Sequence, residues 1–250
     1  MELTTLVILI AGALCGGFVS GLSGFGLALV SLGFWLYVFP PTVAVPLVLL
    51  CSMVSQASTM RMVWQHIDFK LVTPFLIGGL AGVIPGSVLV AYADPWGFKL
   101  FVGLFLLIFP PALYFTPPMA LTFGGRWMDG VIGWIGGVMG GFAGLSGPPP
   151  ILWASVRGWD KHQRRGVFQA FNSTVLIAAL ALQTAHGLVT REVLYAALLA
   201  LPAILLGAWL GARTYQALSD RSFRNVVLAL LFLSGLSLVW SSLAAVRWDL

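Results

Sequence analysis

Charge is scarce in this sequence. Only 8% of its 250 residues are Asp, Glu, Lys or Arg, while 59% are hydrophobic; soluble domains carry roughly a quarter charged residues. Such a chain cannot cover a water-facing surface, and a mean hydropathy of +0.98 marks an integral membrane protein. Cysteine is nearly absent. Cys15 and Cys51 both lie in apolar runs, where a thiol packs as a small hydrophobe, and two residues supply neither a disulfide framework nor a metal-ligand spacing. Nothing in the sequence asks for a cofactor. Acids are few, and Glu2, Asp68, Asp94, Asp129, Asp160, Glu192, Asp220 and Asp249 all sit at or near expected loops. Cation pumps and metal transporters keep an acid inside the membrane despite its cost; none lies in mid-helix here, and none is placed for proton coupling. The start, Met1-Glu2-Leu3, lacks the cationic flank of a secretory signal, so the first apolar run is read as retained. Leu14-Cys15 hints at a lipoprotein cleavage site, but the bulky leucine stands where a small residue is needed.

The net charge of +5 does not point to nucleic acid, because the basic residues form no patch interleaved with aromatics. In a membrane protein an excess of Lys and Arg serves the positive-inside rule.

What the sequence does hold is one tetrad, twice. Gly21-Leu22-Ser23-Gly24 and Gly144-Leu145-Ser146-Gly147 each follow a Gly-Gly-Phe, at Gly16-Gly17-Phe18 and Gly140-Gly141-Phe142. The first continues as Phe25-Gly26 and the second as Pro148-Pro149-Pro150. Glycine costs about 1 kcal/mol against alanine inside a helix and proline about 3, so each tetrad breaks an apolar helix. Broken segments at corresponding places in two halves mark transporter binding sites.

The apolar runs predict an all-α polytopic protein of two homologous halves, each with four or five helical elements and one interrupted helix. Residues 1–115 form the first repeat, 116–126 a linker with Pro117-Pro118 and Gly124-Gly125, and 127–250 the second repeat. Helices are expected over 3–20, 43–60, 71–92 and 97–115, then over 127–143, 166–185, 192–212 and 222–245. The segment 27–39, about 20 Å if helical, is too short for a span and reads as a return; a short segment to Val156 is its counterpart. Polar loops are expected from Arg61 to Lys70 and from Arg157 to Arg165.

With four crossings per half, Arg61, Lys70, Arg126, Arg191 and Arg247 oppose the remaining basic residues. With five elements per half, only Lys99, Arg191 and Arg247 face outside. The positive-inside rule favours the second scheme, and an odd number makes the repeats inverted.

The chemistry inside the membrane is neutral. Ser52, Ser55, Gln56 and Thr59 follow i, i+3, i+4, i+7 spacing, one stripe along a helix; Gln169, Asn172 and Ser173, with Thr174, answer it in the second half. Such groups hydrogen-bond between helices or line a cavity. Short helices beginning after each break would aim positive dipole ends at one point, with the Ser23 and Ser146 hydroxyls as added donors. The resulting candidate site is Gly21, Ser23, Gly24, Gln56, Gly144, Ser146, Gly147, Gln169 and Asn172, suited to a small anionic substrate. Gly-Leu-Ser-Gly also fits the nucleophile motif of rhomboid intramembrane proteases, but His66, His162 and His186 fall at loops or helix ends, and one active site needs no duplicated nucleophile. A channel for small anions stays open as a reading. Glycine spacings at Gly82/Gly86, Gly133/Gly137 and Gly207/Gly211 allow close helix packing and would suit a homodimer.

The order of these features resembles the sulfite exporter (TauE/SafE) family: the glycine-serine motif after the first helix, the proline-bounded segment, His66 and Asp68 opening the third element, and the duplication. The resemblance covers nearly the whole chain. It implies a secondary transporter, not an enzyme, that moves sulfite, sulfonate or thiosulfate across the lipid bilayer of a bacterial inner membrane by alternating access.

Overall fold

Proline and glycine set most of the helix boundaries. The computed structural model describes residues 2–23, 26–63, 67–115, 124–157, 159, 161–217 and 220–246, and among them every regular element is helical. In chain order these are α1 Leu3–Ser23, α2 Leu27–Trp35, α3 Pro41–Val63, α4 Phe69–Ala91 and α5 Pro95–Phe115. There follow α6 Gly125–Ala143, α7 Pro148–Val156, α8 Lys161–Ala185, α9 Arg191–Ala217 and α10 Asp220–Val246. Pro41, Pro95 and Pro148 stand at the first helical position, where a missing N–H is no loss. Asp68 caps α4, accepting from the Lys70 and Leu71 N–H groups at 2.9 and 3.4 Å. Five stretches, within α1, α4, α5, α8 and α9, are long and apolar enough to cross a membrane, and Pro41–Ala57 and Leu231–Leu243 are shorter apolar runs. Large side chains such as Ile77, Ile84, Ile108 and Leu198 point outward, as lipid contact requires.

Two boundaries differ from expectation. Helix α1 continues to Ser23, three residues into the tetrad; Gly17 and Gly21 remain helical because they press against Ile204 and Ala208 of α9. The second break does fall in the tetrad, at left-handed Gly144 (φ 68°). The basic stretch expected as a loop is helical from Lys161 onward, consistent with the good helix propensity of Lys and Arg.

Both short helices fold back. Ser31 of α2 donates to Gly12 O at 3.0 Å and the Trp35 indole to Leu9 O at 3.1 Å, so α2 runs antiparallel along α1. The Trp153 indole of α7 likewise reaches Asp129, in the second turn of α6, at 2.7 Å. Asp129 is therefore buried inside the protein, ion-paired with Arg157 at 3.3 Å.

The closest approaches join helices from opposite halves of the chain. Gly78, Gly82 and Gly86 of α4 lie on the α6 backbone near Gly130, Trp134 and Val138 in turn, which makes the pair parallel. Gly133, Gly137 and Gly141 of α6 lie on Phe75, Gly79 and Val83 of α4. Helices α1 and α9 do the same: Gly17 and Gly21 meet Ile204 and Ala208, and Gly207 and Gly211 meet Leu14 and Phe18. Helices α5 and α10 are antiparallel, tied by the Trp96 indole donating to Ser242 O at 2.8 Å. The expected glycine faces are thus used up within one chain, and they carry no argument for a homodimer.

Candidate functional site

Where α1, α3 and α8 pass the two breaks, their polar stripes meet. Ser20 and Ser55 share a hydrogen bond at 2.8 Å, joining α1 to α3. Gln56 of α3 accepts from Ser173 of α8 at 3.1 Å through Oε1, and the Gln169 amide lies 3.4 Å from Gln56 O. Ser146, fully buried in the second break, donates to Asn172 Oδ1. Ser20, Ser52, Ser55, Gln56, Ser146 and Gln169 are all buried. Polar groups this deep persist only when hydrogen-bonded.

A cavity of about 20 Å³ lies inside this network. Its polar lining comes from Ser20, Ser52, Gln56 and Asn172, its apolar lining from Leu27, Ala28 and Leu176, and its remaining wall from Gly26 and Gly144. No ionised side chain takes part. Gly26, at φ 97°, turns the chain into α2, a conformation that a side chain would strain. The first intrahelical bond of α2 runs from Val30 N to Gly26 O. The N–H groups of Leu27 and Ala28 precede it at the positive end of the helix, and both residues line the cavity. Amide and hydroxyl donors without a counter-charge are chemically able to hold an anion.

The two short helices contribute unequally. Helix α7 opens on Pro148-Pro149-Pro150, three residues without an N–H, so it offers its dipole but no row of donors. The second half supplies instead the Gly144 turn and Asn172.

Of the residues anticipated from sequence, Gln56, Gly144 and Asn172 line the cavity, while Ser146 and Gln169 form its bonded rim. Gly147 precedes α7 as its N-cap. Gly21 packs on Ala208 of α9, away from the cavity lining. Gly24 and the side chains of Ser23, Thr59 and His162 fall outside the described residues, as does His66. Ser52 and Ser55 belonged to the visible i, i+3, i+4 stripe. Ser20 carried no signal beyond lying one residue before the tetrad.

The match to known proteins follows the same segments. The family described as Sulfite exporter TauE/SafE matches residues 8–238, from the middle of α1 to α10. The chain belongs to the TauE/SafE sulfite exporter family. It is also similar to the probable sulfite/organosulfonate exporter TauE of Cupriavidus necator, 26% identical over an alignment of 240 residues that covers 92% of each chain. No solved structure matches the chain. TauE/SafE proteins are membrane transporters rather than enzymes. The partner of Ser146 is the amide oxygen of Asn172, which cannot act as a general base.

Proposed function

We propose that this TauE/SafE protein carries a small sulfur oxyanion of the sulfite, sulfonate or thiosulfate class across a bacterial inner membrane by alternating access. The carrying observation is the uncharged, donor-rich cavity between the start of α2 and the Gly144 turn. Hydroxyls, amides and the N–H groups at the start of α2 replace the hydration shell of a singly or doubly charged oxyanion and leave no carboxylate to repel it. The relative from Cupriavidus necator, named a probable sulfite/organosulfonate exporter, supports the substrate class.

The cavity size supports a carrier cycle. About 20 Å³ is room for about one water, so the surrounding helices must separate before an oxyanion enters. A carrier closes between its open states in this way. We place the repeats at 1–115 and 127–250 with 116–126 as linker, in opposite orientation. Supporting this, the parallel pair α4–α6 has its counterpart five elements along in α9–α1, with α5–α10 and α3–α8 pairing between the halves.

The test is melting of the detergent-purified protein against sulfite, thiosulfate, sulfate, sulfoacetate and taurine, with chloride as control. A ligand bound by the native state raises Tm by mass action. A shift with one sulfur oxyanion that Ser146→Ala and Asn172→Ala remove supports substrate class and site together. No shift with any anion sinks the reading.

A further inference from the structure

The two short helices have nine residues each, but they are not held alike. Helix α2 buries every residue from Leu27 to Gly33 and Trp35, and Ser31 and Trp35 tie it to the α1 backbone. Helix α7 buries only Pro148, Pro150, Ile151 and Ala154; Leu152, Trp153, Ser155 and Val156 are half-buried. It is a rod about 13 Å long, attached mainly by its ends. The near end follows the left-handed turn at Gly144 (φ 68°) and Ser146, which donates to Asn172. The far end is fixed by charge. Arg157 lies 3.3 Å from the Asp129 carboxylate of α6, and the Trp153 indole donates to that carboxylate at 2.7 Å. Just beyond, Trp159 rests edge-on against Phe75 of α4, ring centroids 5.9 Å apart.

Position along α6 says what α7 covers. Ser146 lies against Gly136 and Gly140, whereas Arg157 meets Asp129, about 10–16 Å nearer the start of α6 at 1.5 Å per residue. Helix α7 therefore spans from the Gly144 wall of the cavity to the face of the protein where α6 begins. The cavity has room for about one water, so a wall must move before an oxyanion enters. The neighbouring helices are locked on backbones: α1 presses Gly17 and Gly21 onto α9, and α6 presses Gly133, Gly137 and Gly141 onto α4. Close-packed contacts of that kind do not yield gradually. The far end of α7 holds on through side chains alone. One guanidinium nitrogen of Arg157 reaches both Asp129 oxygens, at 3.3 and 3.5 Å, longer than the roughly 2.7–2.9 Å of a tight charge-assisted bond. Such a tie gives way before a backbone contact does.

We propose that α7 is the gate on this face of the transporter: it swings about the Gly144 turn, and Asp129 with Arg157 is the latch that holds it shut. Neither latch residue belongs to the cavity lining, so both act through the position of α7 and not by touching the substrate. A glycine at the end of an element is a place where a hinge absorbs a change of φ and ψ. The gate rests on the carrier reading of the cavity, but not on which anion is carried.

The experiment measures access to the cavity, with no substrate present. In the full chain carrying Cys15→Ala and Cys51→Ala, Ser52→Cys places one thiol on the cavity wall. A membrane-impermeant methanethiosulfonate reagent is applied to right-side-out and to inverted vesicles. Arg126→Cys, exposed in the first turn of α6, identifies the vesicles that present the face in question. Asp129→Asn combined with Arg157→Gln leaves no lone buried charge and keeps the test on a folded protein. It should speed labelling of the Ser52→Cys thiol from that face about tenfold, and slow or leave unchanged labelling from the other. Arg157→Lys, which keeps the charge, should label at close to the parent rate. Unchanged labelling in the double variant, equal acceleration from both faces, or acceleration from the opposite face alone overturns the gate and leaves the pair a structural tie. The anion melting series is separate: its failure removes the substrate reading and leaves the labelling contrast standing.

Discussion

Arg157, closing α7, lies 3.3 Å from the Asp129 carboxylate of α6, and the Trp153 indole donates to the same carboxylate at 2.7 Å. Arg157 also stands over the Trp153 ring at 5.6 Å. Three groups thus clamp the far end of the short helix whose near end borders the cavity. Removing one partner of a buried pair costs about 3–5 kcal/mol because the other charge remains. Asp129→Asn should therefore lower the melting temperature clearly, while Asp129→Asn combined with Arg157→Gln should recover most of the loss. Equal melting of the single variant and the parent would show that water already solvates Arg157.

The α4–α6 contact predicts a contrast between two glycines. A side chain at Gly82 would run into the backbone of Trp134 and Val138, whereas one at Gly130 has its nearest neighbour, Pro74 O, at 3.7 Å. Gly82→Val should abolish the monodisperse peak in size-exclusion chromatography. Gly130→Ala should keep it and gain up to about 1 kcal/mol from helix propensity. Normal behaviour of Gly82→Val would mean that the helices do not pack on their backbones here.

Two left-handed glycines separate strain from crowding. Gly144 (φ 68°) would place a side chain 2.8 Å from Val48 Cγ1; Gly187 (φ 73°) has nothing within 4 Å. Gly187→Ala should cost only the left-handed penalty of about 1–2 kcal/mol, and Gly187→Asn less. Gly144→Ala should add a displacement of α3 and reduce transport as well, read as lower sulfite flux at matched protein levels. Full flux in Gly144→Ala would remove the turn from the site.

Within the cavity, Ser146→Ala leaves Asn172 Oδ1 without its donor, and Asn172→Ala removes a lining group. Each should reduce sulfite flux at least tenfold, about 1.4 kcal/mol of lost stabilisation, with membrane insertion preserved. Gln169→Ala, on the rim, should have a smaller effect through Gln56. A reversed order of severity would move the substrate toward the Gln56–Gln169 side.

Much of this was written along the chain. Composition dictated a helical membrane protein. The runs between breakers located the helices to within a few residues. The repeated tetrad, with the stripes of Ser52, Ser55 and Gln56 and of Asn172 and Ser173, marked the segments that meet at the cavity. These features are local: periodicity, breakers and turn residues act within a few positions, so one strand of text is enough to read them.

Only the tertiary structure decided which helices embrace. That Gly82 would meet α6, that Gly21 would leave the cavity for α9, and that Asp129 would be buried against Arg157 depend on backbone contact between segments far apart in sequence. A glycine face has no chemical preference that names its partner; any close-packing backbone will do. The same holds for the inequality of the two breaks. The tetrads are alike in sequence, but Leu27 and Ala28 open α2 with N–H groups beside the cavity, while α7 begins with three prolines that have none.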